Sequence, residues 1–174
     1  MNWNSTIFQV IDFRSFSTVW YWIVLAIMWS SLSYYVIGIP YDLIQRARRK
    51  GEEAQVDLTD ATRINVTRLL NLAGNAGLAL TAVSCFLLSS LAVLGFVYWI
   101  QLAQALFFLS FPLTIVGAVS LSTANKIYAL DPPSDVLIKI LMRHRLWVQI
   151  IGMISIFITA MFGMAQNLMV VRAL

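Results

Sequence analysis

Few side chains in this sequence have the type and spacing to do chemistry. The one histidine, His144, stands between two arginines in Arg143-His144-Arg145. A bis-histidine haem needs a second histidine and a metal centre needs several ligands. The flanking cations also oppose protonation and cation binding, so His144 reads as part of a basic patch at headgroup level. The one cysteine, Cys85, lies in Ala82-Val83-Ser84-Cys85-Phe86 and reads as a small apolar side chain with no intrachain disulfide. Asp131 and Asp135 flank a Pro-Pro pair, where turn formation and helix capping account for them better than a catalytic carboxylate pair does. There is no nucleophile–base–orienter set and no glycine-rich phosphate loop. The expectation is a protein that is not an enzyme, with no catalytic, cofactor-binding or metal-ligating residues.

The elements that carry these residues are dictated by where charge is missing. Between Arg68 and Lys126 run fifty-seven residues without an Asp, Glu, Lys, Arg or His. A hydrocarbon core of ~30 Å takes about 20 helical residues to cross, so this run holds two spans and their turn. The stretch from Ser15 up to Asp42 and the stretch Leu146–Val171 hold one each. The chain is 60% hydrophobic and 11% charged, with a mean hydropathy of +0.79, against about a quarter charged residues in soluble domains. The expected fold is all-α and integral to the membrane: one transmembrane helical domain over 1–174, with four spans at about 18–37, 72–95, 105–123 and 146–167.

Connectors complete the expected layout. Thr6–Phe13 groups Ile7, Phe8 and Ile11 on one side behind a Ser5 cap and predicts a short interfacial helix. Asp42–Lys50 predicts a basic juxtamembrane helix closed by Gly51, followed by an acidic loop over Gly51–Asp57 and a helix capped by Asp57 or Thr59. Tyr98–Gln104 predicts an interfacial turn, and Pro112 a kink in the third span. Asp131-Pro132-Pro133-Ser134 predicts a stop and a restart capped by Ser134. The N-terminus lacks the basic region of a cleaved signal peptide and reads as retained. Asn4-Ser5-Thr6 matches a glycosylation acceptor.

Lys and Arg set the orientation. Arg46, Arg48, Arg49, Lys50, Arg63 and Arg68 fall in the first connector, and Lys126, Lys139, Arg143 and Arg145 in the second, against Arg14 and Arg172 on the other side. Ten against two predicts cytoplasmic connectors and both termini outside. The net charge of +4 then points to anionic headgroups rather than nucleic acid, with Arg46, Arg48, Arg49, Lys50, Arg143 and Arg145 as contacts.

Two stripes of small residues mark helix-contact surfaces. One is Ala73, Gly74 and Gly77; the other is Gly152, Ser155, Thr159 and Gly163. In lipid, helices associate through close packing and interhelical hydrogen bonds. Both stripes fit internal bundle packing, and the sharper reading is that one contacts a foreign subunit. The spans contain no ionisable residue that would mark a proton relay or ion path. Asn71, Asn75, Asn125, Gln149, Gln166 and Asn167 sit near span ends, where water or caps satisfy them. Met153, Met161, Met164 and Met169 read as gap filler or as an adaptable contact surface.

The segments Ile11-Asp12-Phe13-Arg14-Ser15-Phe16, Trp20 to Leu25, Gly38-Ile39-Pro40-Tyr41-Asp42 and Arg46-Ala47-Arg48-Arg49 resemble a small family of inner-membrane proteins of photosynthetic and related alphaproteobacteria. Its members are described as a component of the SufBCD complex, which assembles iron–sulfur clusters. The resemblance covers mainly residues 11–50 and implies a bacterial inner-membrane location. Cluster assembly needs thiolates, so one cysteine in a span limits any such role to tethering the cytoplasmic assembly through the basic connectors. The reading that accounts for most features is a non-enzymatic accessory subunit of a larger respiratory or photosynthetic membrane complex. It would contact lipids and other integral subunits, with structural lipids or a quinone as the only candidate bound groups. The alternatives are the tether and a small self-associating transporter or channel, for which Asn75 and Thr159 would line a common lumen.

Overall fold

A computed structural model describes residues 19–49 and 51–172. Five helices and one two-residue hairpin follow in order: α1 (Val19–Tyr34), β1 (Tyr35–Val36), β2 (Ile39–Pro40), α2 (Tyr41–Arg49), α3 (Glu52–Ala92), α4 (Gln101–Leu130) and α5 (Ser134–Arg172). α3 runs on through one wider turn over Val93–Val97. The expected interfacial helix Thr6–Phe13, the Asn4 acceptor and Lys50 lie outside the described residues.

Three helices are long and apolar enough to cross a membrane: Glu52–Val97, Gln101–Leu130 and Ser134–Gln166, with 46, 30 and 33 residues. They contain the expected spans at 72–95 and 105–123, and 146–167 lies within α5. The end of the first expected span is corrected. α1 has 16 described residues, about 24 Å at 1.5 Å per residue, and it stops at Tyr34 instead of running to Ile37. The stop is a tight antiparallel hairpin pairing Tyr35 with Pro40 and Val36 with Ile39. Its central residues, Ile37 and Gly38, both have positive φ (52° and 78°), as a two-residue hairpin turn requires. Hydropathy hides this turn because Tyr35–Ile39 reads as unbroken apolar sequence. Gly38 is also pressed onto α3, where a Cβ would meet Asn65 Oδ1 at 3.2 Å.

The expected loop over Gly51–Asp57 is likewise corrected. α2 ends at Arg49 and α3 begins at Glu52, with Gly51 at φ 83° as the described residue between them. Glu52 and Glu53 open α3, where carboxylates complement the positive end of the helix dipole. Ala54, Leu58, Thr62 and Val66 then recur every four residues as its buried stripe. Neither Asp57 nor Thr59 caps this helix, and Thr59 Oγ1 donates to Gln55 O inside it at 2.8 Å.

The Pro-Pro break falls where expected. Asp131 ends α4 in the left-handed conformation, its N–H bonded to Ile127 O. The Pro133 carbonyl accepts the N–H groups of Val136 and Leu137 at 3.0 and 2.9 Å. Pro133 therefore takes the capping position expected of Ser134, which becomes the first helical residue. Pro112 is buried within α4, which continues through it.

Two cores hold the bundle. At the charged end, Val36 and Ile39 of the hairpin, Ile44 of α2, Leu58 of α3, Ala124 of α4 and Leu141 of α5 close one cluster. In the apolar half, Leu25 and Trp29 of α1 pack with Val116 of α4 and Val148 of α5. α1 therefore lies against α4 and α5 across the apolar layer, whereas α3 packs mainly on α4.

Candidate functional site

The two small-residue stripes meet opposite fates. Gly152, Ser155, Thr159 and Gly163 are all buried on α5. α1 lies on them so closely that a Cβ at Gly152 would stand 2.7 Å from Trp29 Cε3. Tyr21 shares a side-chain hydrogen bond with Thr159, and its hydroxyl reaches Ala105 O on α4 at 3.4 Å. The Thr159 hydroxyl donates to Ser155 O at 2.8 Å. This stripe is internal packing, supplied by an α1 whose aromatic residues read in the sequence only as interfacial anchors.

The α3 stripe is open. Ala73 and Gly77 are half-buried and Gly74 is exposed. A Cβ at Gly74 or Gly77 would find no atom within 4 Å. In its most apolar 18 residues α3 is 6% buried, compared with 28% for α5. Leu78 and Cys85 fall on the Gly74 side of the helix and are exposed, and Val83, Phe86 and Leu87 are exposed on its other sides. Asn75 is exposed as well, while Thr159 is enclosed on α5, so the two do not share a lumen within one chain.

The turn between α3 and α4 is built around a buried amide. Gln104 reads from sequence as an interfacial side chain but is wholly buried. Its Nε2 donates to Gly95 O at 2.7 Å and its Oε1 accepts from Gln166 Nε2 at 3.3 Å. The widened turn at Val93–Val97 leaves that carbonyl for a side chain to satisfy. Gly95 must be small here, because a Cβ would stand 3.1 Å from Gln104 N. Replacing Gln104 by Leu strips both contacts and is expected to destabilise the chain by about 1–3 kcal/mol, the cost of a stranded buried polar group. A thermal melt in detergent micelles measures it, with Gln104→Glu as the companion that still accepts from Gln166.

The basic residues divide by role. Arg46, Arg48 and Arg49 project from α2 into the surroundings, with Ile44 and Ala47 turned inward. Arg145, expected at the headgroups, is a structural staple instead. Its Nε donates to Ser33 O at 3.1 Å, and its guanidinium stacks 3.6 Å from the Tyr41 ring centroid, tying α1 and α2 to α5. The Tyr41 phenol is held below its ordinary pKa, first by a hydrogen bond with Gln45 and further by the charges of Arg145 and Arg48. Arg143 is exposed and lines a cavity of about 550 Å³ between α4 and α5, together with Lys126 and Lys139.

His144 is buried in the wall of that cavity. Its Nε2 lies 3.3 Å from Ser120 Oγ and its Nδ1 3.2 Å from Thr123 Oγ1. Each hydroxyl already donates to a carbonyl one turn back, Val116 O and Val119 O, both at 2.8 Å. Both therefore offer lone pairs, and a neutral imidazole, with a single N–H, cross-links α5 to α4 by donating to one of the two hydroxyls. His144 thus faces the bundle interior rather than forming an exposed patch. Among the described residues no three of His, Cys, Asp and Glu gather as metal ligands.

No protein-family model, curated protein or solved structure matches the chain. The site is therefore defined by this chain's own geometry: a bare α3 face through the apolar layer and a cationic cavity at the charged end. Lys126 and Lys139 entered the sequence reading only as orientation charges. One signal for their convergence was available, since they stand at matching distances on either side of the Asp131–Ser134 break. An antiparallel pair joined by so short a link places such positions at the same height.

Proposed function

We propose that this protein is a non-enzymatic accessory subunit of a larger bacterial inner-membrane assembly, respiratory or photosynthetic in type, joined through the outer face of α3. The observation that carries this reading is the contrast between the stripes. The α5 stripe is filled by α1, whereas Gly74 and Gly77 have open space where a side chain would begin. Small residues in a span let another backbone approach closely, and here no helix among the described residues does so. The charged end faces the cytoplasm under the positive-inside bias, α1 completes a fourth crossing, and both termini are periplasmic. Integral membrane subunits and lipids are the partners, and the role calls for no cofactor.

The test is native electrophoresis of membranes solubilised in gentle detergent, followed by mass spectrometry of the band containing this chain. Co-migration with other integral subunits is expected. Migration solely as a monomer or homodimer overturns the reading, and a homodimer would revive the self-associating channel. The tether alternative draws on the exposed Arg46, Arg48 and Arg49, and predicts soluble partners lost on Arg→Gln changes at those three positions.

A further inference from the structure

The cavity between α4 and α5 has the chemistry of an anion site, and this holds whether or not α3 binds a partner. Three cations from two helices, Lys126, Lys139 and Arg143, line one space of about 550 Å³. No acidic side chain lines it, and among the described residues none of the three cations is held by a carboxylate. Three like charges facing one volume repel each other, so an anion that enters relieves the repulsion as well as gaining contacts. Thr123 and Ser122 add hydroxyls to the lining.

The cavity is also two-sided in polarity. Lys139 and Arg143 stand toward the Pro-Pro turn, and Trp147 closes the other edge, half-exposed, one residue into the charge-free run. Val136 and Ile140 give it apolar walls. Tryptophan at such a boundary is wet at one end and apolar at the other. Basic pockets between membrane helices are suited to phospholipid headgroups.

We propose that this cavity binds a phosphate group, gripped by Lys126, Lys139 and Arg143, with any apolar portion of the ligand running past Trp147. A phosphate bearing acyl chains, the headgroup of an acidic phospholipid, fits both halves. A free phosphate fits only the cationic half.

The experiment uses the full chain, stripped of lipid in detergent and re-exposed to phosphatidylglycerol or phosphatidylcholine, with native mass spectrometry counting the lipid retained. Phosphatidylglycerol retained well above phosphatidylcholine is the expected result. Each cation is worth about fivefold in affinity, so the variant K126Q/K139Q/R143Q loses on the order of 100-fold. The charge-preserving K126R/K139R, which controls for folding, keeps its lipid. R46Q/R48Q/R49Q on α2 also keeps it. Added inorganic phosphate separates the sources. If millimolar phosphate displaces the lipid, the site serves free phosphate; if it does not, the site serves the lipid. Equal retention of the two lipids, or undiminished retention by a folded K126Q/K139Q/R143Q, overturns the proposal.

Discussion

Gly152→Leu is expected to be the most damaging single substitution in the apolar half of this chain. A Cβ at position 152 already falls 2.7 Å from Trp29 Cε3, 3.1 Å from Cδ2 and 3.2 Å from Cζ3. The indole cannot swing away cheaply, because Trp29 is 5% exposed and enclosed by Leu25, Val116 and Val148. Overpacking of this kind costs about 1–3 kcal/mol, and Leu carries three further carbons into the same ring. Gly152→Ala falls at the low end of that range, since alanine recovers about 1 kcal/mol of helix propensity. The measurement is a thermal or denaturant melt in micelles. Adding Trp29→Ala to Gly152→Leu should recover part of the loss, because the two sites touch and their effects couple. A Gly152→Leu chain as stable as the parent would mean that α1 does not lie on α5 as described.

The second large effect concerns assembly rather than folding. Gly74→Leu with Gly77→Leu should detach the chain from its complex, with at least a tenfold loss of co-migrating subunits on native electrophoresis, since close backbone approach at small-residue faces does not survive bulky side chains. The isolated chain should melt within about 2 °C of the parent, because surface changes away from packed features stay within ~0.5 kcal/mol. Open space surrounds both positions, and this separation of assembly from stability is what identifies the α3 face as the contact. A destabilised chain would place that face inside the bundle instead. An intact complex would move the contact elsewhere, to the Met153, Met161 and Met164 surface of α5, which is exposed as well.

The two glycine positions show what periodicity can and cannot reveal. In sequence the α3 and α5 stripes are equivalent, each a run of small residues at helical spacing. Which one is filled depends on where α1 lies, and α1 is positioned by a hairpin at Ile37–Gly38 and by the Arg145 staple to Ser33 and Tyr41. The staple joins residues more than a hundred positions apart, and the hairpin, though local, is hidden in an unbroken apolar run. Gln104 makes the same point: an amide near a span end reads as interfacial, and only the return of α4 past Gly95 encloses it.

A membrane location, the places of three long spans, the Pro-Pro break between the last two and the basic end can all be read along the chain. These follow from hydropathy and charge, which act residue by residue against a uniform solvent, so a linear count reads them. Only the folded chain reveals that the first apolar helix stops at Tyr34, that α3 begins at Glu52, that Arg145 staples α5 to α1 and α2, and that Lys126, Lys139 and Arg143 share one cavity. Those outcomes depend on which helix faces meet. In lipid that choice is made by close packing and a few hydrogen bonds, whose partners lie far apart in the chain.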